Sequence, residues 1–447
     1  MSLLESIYNA GVVGAGGAGF PTHKKLNCKV SYLIVNGAEC EPLLGTDKFI
    51  MRNFSDDLIK AVEAVANETG AAYAVIGLKE KYHEEIAALE NSIKKSDSRV
   101  KLFFLKSIYP AGDEHVLVHE VTSRVIPPGG IPLNVGAVVS NVGTMLNIAE
   151  AMEETAVTNK YVSVLGEVNN SSIMKVPIGT AVIECIKAAG GTVIDNYSVI
   201  MGGPMMGKVL NEEEIKNRVV TKTDGGIIVI PGEHYLVNCK NLTVKHILNQ
   251  ARAACIQCSA CTQMCPRHLL GHPLRPHKIM RAMSFLEGNQ EVIKEALICS
   301  ECGVCEMYAC PMGLSPRKVN VYLKALLREK GIRFQTDKTE FKPDLDRELK
   351  QINVSRLAMR LNLVKYKDCR LLEHTGELEV SRVKIPLRQH IGKAAVPVIS
   401  LGEEVVKGQL IAKVEYGDMG ANIHASISGR VKEINDAIVI EKEEAVK

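Results

Sequence analysis

Apolar positions along this chain follow two rhythms that change over at definable places. Leu3, Leu4 and Ile7 are spaced for one face of a helix. Tyr32–Asn36 is then a nearly continuous apolar run, as expected of a strand buried on both faces. Lys101–Leu105 and Gly136–Ser140 repeat that pattern, each followed by a polar loop. Buried strands alternating with helical stretches predict an α/β domain over 1–155. Tyr161–Leu165 and Met174–Ile178 read as strands, and Thr180–Ala189 as a helix stopped by Gly190 and Gly191. With the glycine-rich edge Val199–Gly207 they predict a small β-grasp module over 156–235. The stretch 236–335 turns helical: Ile279, Met280, Met283, Phe285, Leu286, Val292, Ile293, Ala296 and Leu297 share one buried face. Residues 336–378 are charged and read as linker or helix. Over 379–447, short apolar runs alternate with turns such as Gly402–Gly408, which predicts a compact all-β module. The whole is a multidomain α/β chain.

Composition changes this picture little. A chain of 447 residues accommodates about three or four domains. Its net charge of +3 comes without a basic block interleaved with aromatics, so nucleic acid is not expected as a partner. No apolar run approaches the roughly 18 residues of a membrane span. The N-terminus lacks a basic region followed by an apolar stretch, which predicts no secretory signal and a cytoplasmic location.

The cysteines change it more. Eight of the 13 form two runs, Cys255-x2-Cys258-x2-Cys261-x3-Cys265-Pro266 and Cys299-x2-Cys302-x2-Cys305-x4-Cys310-Pro311. Three thiolates at this spacing hold one corner of a cubane, and the fourth, before proline, ligates the other cubane. Two 4Fe–4S clusters follow, one on Cys255, Cys258, Cys261 and Cys310, the other on Cys299, Cys302, Cys305 and Cys265. Zinc would use only four thiolates per site in CxxC pairs and leaves the third cysteine of each run unexplained. The second run is one residue longer than the template. Basic residues outnumber acidic ones around the runs, which either favours the reduced clusters or is an ordinary solvated face.

Gly14-Ala15-Gly16-Gly17-Ala18-Gly19 contains the dinucleotide spacing G-x-G-x-x-G. The helical spacing upstream argues against an ordinary Rossmann turn. Successive glycines still expose backbone N–H groups to a phosphate or let a planar ring approach the main chain. Pro21 fits the start of a following helix, from which Lys25 could reach a phosphate. Polar loops after the strands carry Asn36, Glu39, Tyr109, Gly112, Asp113, Glu114, Asn141 and Thr144. The ends of strands are where α/β sheets bind ligands.

Taken in order, GAGGAGFPTHKKL from Gly14, NGAECEP from Asn36, YPAGDE from Tyr109 and NVGT from Asn141 resemble the flavin- and NADH-binding domain of the complex I 51-kDa subunit. They resemble more closely the C subunit of the Rnf complex and the cobalamin reductases of propanediol utilisation. Pro266–His272 and Leu387–Gly392 look most like the latter family. The resemblance implies FMN held by Gly14, Gly16, Gly17, Gly19 and Lys25, with Asn36, Glu39, Asn141 and Thr144. It implies NADH near Tyr109, Gly112, Asp113 and Glu114, with Glu114 the catalytic candidate; Asp113 stands where complex I has glutamate. Residues 156–235 resemble a soluble-ligand-binding β-grasp domain, open to a corrinoid or serving as a spacer. Residues 379–447 resemble a biotinyl/lipoyl-type barrel-sandwich with Asp418 in place of the modified lysine, so no biotin or lipoate is expected.

The function implied is an NADH-dependent reductase of cobalamin, regenerating adenosylcobalamin in company with a corrinoid adenosyltransferase and a shell protein of a bacterial microcompartment. The alternative is an electron-relay component of an Rnf-like or proline-reductase-associated system. No Asp-x-His-x-x-Gly stretch of base-off corrinoid domains is present, which suits either reading.

Overall fold

The computed structural model describes residues 1–285, 290–367, 369 and 371–443. Leu286, expected on the apolar helical face, lies outside the described residues, as do the Phe285 side chain and the last four residues of the C-terminal module.

The first helix, Leu3–Asn9, starts on a capping box. Ser2 Oγ accepts from Glu5 N, and the Glu5 carboxylate accepts from Ser2 N at 2.8 Å. The sheet behind it is parallel: β1 (Tyr32–Gly37), β2 (Tyr73–Lys79), β3 (Lys101–Leu105) and, after the two-residue β4 (Ile108–Tyr109), β5 (Ala137–Asn141). Their order is β3-β2-β1-β5, with Val35 facing Ile76 on one side and Ser140 on the other. Parallel strands all end at one edge, so the loops after β1 and β5 gather there, and the loop after β4 joins them through Asn36 donating to the Gly112 carbonyl.

The β-grasp sheet contains β6 (Asn159–Gly166), β7 (Ser172–Pro177), β8 (Tyr197–Met201), β9 (Lys208–Leu210) and β10 (Gly226–Pro231). Its helix, Val182–Ala188, covers one face through Val182, Cys185 and Ile186. The stretch read as linker or helix does hold the helices Val354–Arg360 and Val364–Lys367, but it also supplies two strands that the sequence reading did not expect. Its β11 (Ile352–Asn353) pairs antiparallel with β4, and its β12 (Leu372–Glu377) adds a sixth, parallel strand beside β7. Ile352, Leu357, Leu361, Leu363 and Tyr366 are buried between them, a sparse apolar set masked by charged neighbours.

Helices Val244–Ala254, Pro276–Phe285 and Pro316–Glu329 pack around Ile247, Ile279, Met280, Ala296 and Val319 and frame the cysteine runs. The C-terminal module pairs β13 (Arg382–Pro386), β15 (Glu404–Val405), β18 (Gly429–Ile434) and β19 (Ala437–Glu441) in one sheet. The other holds β14 (Val396–Pro397), β16 (Leu410–Lys413) and β17 (Ile423–His424). Its core runs on into that of the first domain, and Tyr8 donates its hydroxyl to the Val414 carbonyl. Among the described residues no helix is long and apolar enough to cross a membrane.

Candidate flavin and iron–sulfur sites

The glycine loop is closed on itself by Gly14 N donating to the Phe20 carbonyl at 2.9 Å. Thr144 Oγ accepts from Ala15 N at 2.9 Å, which pins the loop to the end of β5. Lys160 donates to the Ala15 carbonyl from behind at 2.7 Å. The four glycines do different things. Gly17 (φ +70°) and Gly19 (φ +68°) need the left-handed region. A Cβ on Gly16 or Gly17 would meet nothing within 4 Å, so open backbone is presented there. A Cβ on Gly19 would strike Thr223 and His390.

The polar loops form the floor. Asn141 caps the helix Val142–Met152 through Gly143 N and donates to Asp47 at 2.9 Å. Glu39 receives Asp47 N, Lys48 N and Thr46 Oγ at the start of the helix Thr46–Asn53. Burial, with Glu39 adding to it, pushes the Asp47 carboxyl up to about 7, and burial holds Lys160 down at about 8. Asn36 donates to the Gly112 carbonyl at 2.9 Å and accepts from Ala38 N. Gly112 is glycine for lack of space: a Cβ there would lie 2.8 Å from Cys40 Sγ. Lys25 pairs with the half-exposed Glu114 at 2.9 Å.

Two residues expected beside the cofactor face elsewhere. Tyr109 is 3% exposed and donates its hydroxyl to the Cys302 carbonyl at 2.6 Å. Asp113 caps the helix Glu114–Thr122 and pairs with Arg267, two residues past Cys265. Burial raises its carboxyl, but the guanidinium outweighs that and holds it below the ordinary range. Both side chains therefore bind the flavin domain to the cysteine region, a role their position in a polar loop does not announce. Lys160, Thr223 and His390 went unnoticed in the sequence because each reaches the loop from a distant segment, and Asp47 because its partner Asn141 is far along the chain.

The thiols fall into two sets. Cys255, Cys258, Cys261 and Cys310 line one cavity together with Ile256, His277, Met280 and Pro311. Cys265, Cys299, Cys302 and Cys305 form the other. Burial first, then the neighbouring thiols, pushes Cys265 up to about 12 and Cys302 and Cys305 higher still. The fourth cysteine of each run thus sits with the other run's first three. The two loops share a backbone: Gln257 and Glu301 are left-handed, as are Ser259 and Gly303, each two residues apart in its run. The extra residue of the second run is taken up by a π-helical turn, Cys305–Ala309, where the first run has the α-helical Ala260–Gln263.

These surroundings suit clusters. Gln257 donates to Cys255 Sγ at 3.1 Å, and Leu314 N to Cys310 Sγ at 3.3 Å. The buried Asn320 amide lies beside Cys299 and has no other partner among the described residues, where a cluster sulfide would accept from it. The basic surround is largely matched: Arg267 pairs with Asp113, Arg275 with Glu295, Arg317 with Glu306 and Lys324 with Glu301.

Comparison with known proteins follows the same divisions. Residues 7–150 match the Nuo51 FMN-binding domain, 161–209 the SLBB domain, 254–315 the 4Fe-4S dicluster domain and 375–447 the RnfC barrel sandwich hybrid domain. Cobalamin reductase PduS of Salmonella typhimurium is 41% identical over 438 residues, which is 97% of this chain and 95% of that protein. The chain belongs to the PduS cobalamin reductase family. The PduS of Citrobacter freundii is 40% identical over the same shares. The C subunit of the proton-translocating ferredoxin:NAD(+) oxidoreductase complex of Clostridium ljungdahlii is 33% identical over 273 residues, 60% of this chain and 56% of that protein. The expected multidomain architecture is borne out, and this PduS-family chain is an oxidoreductase with flavin and iron–sulfur domains.

Proposed function

We propose that the chain is an NADH-dependent reductase of cobalamin, in which the glycine loop at Gly16 and Gly17 would hold FMN and the two thiol sets would hold two 4Fe–4S clusters supplying one-electron transfer. The observation that carries this reading is the series of thiol sets. Cys265, Cys299, Cys302 and Cys305 are buried, and their loop is bonded to Tyr109 of the flavin domain. The other set reaches the surface at Cys258, beside Ile256 (65% exposed) and Met312 (41% exposed). Bound FMN would supply the conversion between a two-electron hydride donor and one-electron acceptors.

The chain's residues have distinct tasks in this reading. Gly16 and Gly17 offer bare backbone to the cofactor. Thr144 and Lys160 hold the loop still. Glu114 is the carboxylate at the rim that can accept hydrogen bonds from NADH, because Asp113 is committed to Arg267. Tyr109 and Arg267 fix the inner thiol set against the flavin domain. The name of the PduS relatives supports cobalamin as acceptor. Regeneration of adenosylcobalamin beside a corrinoid adenosyltransferase, a cytoplasmic location and a microcompartment shell protein as partner belong to the same proposal and rest on the resemblance of the sequence motifs to the propanediol-utilisation family.

The test is NADH-driven reduction of cobalamin by anaerobically reconstituted protein, followed by the cobalt absorption bands. Reduction dependent on both FMN and NADH is the expected result. Reduction of a ferredoxin but not of cobalamin would favour the relay reading, to which the likeness to the Clostridium ljungdahlii protein also lends support.

A further inference from the structure

The glycine loop is touched by two modules besides its own. Ile391 N donates to the Ala18 carbonyl at 3.0 Å. A Cβ on Gly19 would lie 2.8 Å from His390 Cβ and 2.6 Å from Thr223 Cγ2. These contacts are anchored on both sides of His390. Gln389 accepts from Lys222 N at 3.0 Å, and Lys222 Nζ donates to the Gly11 and Asn422 carbonyls at 2.6 and 2.7 Å. First domain, β-grasp edge and C-terminal module therefore meet at this one loop.

The state of the His390 ring follows from its partner. Nδ1 lies 2.7 Å from the Ile391 carbonyl, which can only accept, so Nδ1 carries the hydrogen. Burial lowers the pKa of the imidazole, keeping it neutral near physiological pH. Nε2 is then a lone-pair acceptor, and it has no partner among the described residues. His390 is half-buried, with its Cβ against Gly19, and Gly19 follows directly on the exposed stretch Gly16–Ala18. The residue that carries this neutral acceptor is thus clamped before and after in the chain and packed on the end of the glycine loop.

We propose that His390, from the C-terminal module, is a cofactor-binding residue of the flavin site, its Nε2 accepting a hydrogen bond from a hydroxyl or the imide N–H of FMN. This rests on the flavin reading above. It gives the barrel-sandwich module a task other than carrying a modified lysine: it forms one wall of the flavin pocket.

The experiment is FMN titration of the full-length, flavin-stripped chain with its clusters intact, read by quenching of flavin fluorescence. His390→Leu and His390→Ala should each weaken FMN binding about five- to ten-fold, the worth of one hydrogen bond. His390→Gln carries an amide oxygen to a similar reach and should recover most of that loss. Unchanged cluster absorbance in all three reports an intact fold. Leu and Ala variants that bind FMN as tightly as the unaltered chain would overturn the proposal, and so would a Gln variant as weak as the Leu variant. An unaltered chain that takes up no FMN would sink the flavin reading itself and this proposal with it.

Discussion

The two thiol sets start from almost the same spacing and end in opposite surroundings. The inner set packs its Cys302 with Met205, Val304 and Met307 in a core shared with Tyr109 and the β-grasp sheet. The outer set lines a cavity that opens past Cys258 between exposed Ile256 and Met312. The cysteine pattern alone cannot distinguish them; what separates them is which module covers each loop. Covering fixes role. In the proposed reading, the buried set bonded to the flavin domain is placed to pass electrons within the chain, and the open one to meet an acceptor from outside.

The largest effect should come from cutting the inner set. Cys302→Ala should lower NADH-driven cobalamin reduction by at least about 100-fold and destabilise the chain by several kcal/mol, since it empties a buried site. NADH oxidation by an artificial two-electron acceptor should survive in any variant that stays folded. Cys258→Ala should block cobalamin reduction while melting within a few degrees of the parent. If the two variants lose the same stability, the contrast in burial has no energetic meaning.

Gly17→Val breaks the path before either set. A branched side chain at φ +70° costs about 1–2 kcal/mol of backbone strain and fills the open space over the loop. Flavin content should fall at least about ten-fold in this variant, with both cluster EPR signals retained; full flavin would show that the loop is not the site. Tyr109→Phe is finer. It leaves the Cys302 carbonyl unpartnered, costs about 1–3 kcal/mol, and should shift the inner cluster's EPR signal alone. Equal movement of both signals would remove the assignment of Tyr109 to one set.

The smallest effect lies away from both sets, at Lys222. Burial holds this lysine at about 7 in the folded chain, whereas in the unfolded chain it titrates in the ordinary lysine range. Between those values the unfolded state binds the extra proton, so stability rises with pH above about 7 and this contribution is lowest below it. The melting temperature of the parent should therefore gain more than that of Lys222→Met between pH about 6.5 and about 9. Parallel curves for the two proteins would show that the lysine is not charge-starved.

Much of this was legible in the sequence. The cysteine runs carried the crossed grouping, since in runs of this spacing the fourth cysteine, before proline, serves the other cluster. The apolar runs marked β1, β3 and β5, and with them the edge where the polar loops gather. What stayed hidden depended on partners far away in sequence. Asp113 looked like a ligand because nothing near it reveals Arg267. Glu39 reads as a free carboxylate until the helix Thr46–Asn53 points its N–H groups at it. The strands within 336–378 were obscured because a two-residue pairing such as Ile352–Asn353 has no periodicity to detect.

That late pairing shapes the birth of the protein. β4 emerges from the ribosome more than two hundred residues ahead of β11, and β7 about two hundred ahead of β12. At about 5–20 residues per second, the open edge of β7 waits on the order of ten to forty seconds for its last strand. An unpaired edge is a template for another chain during that interval. Nascent copies on one message therefore stand to cross-pair through β7, and a chaperone that shields this edge until residue 377 clears the exit tunnel would raise the yield of correctly folded chains.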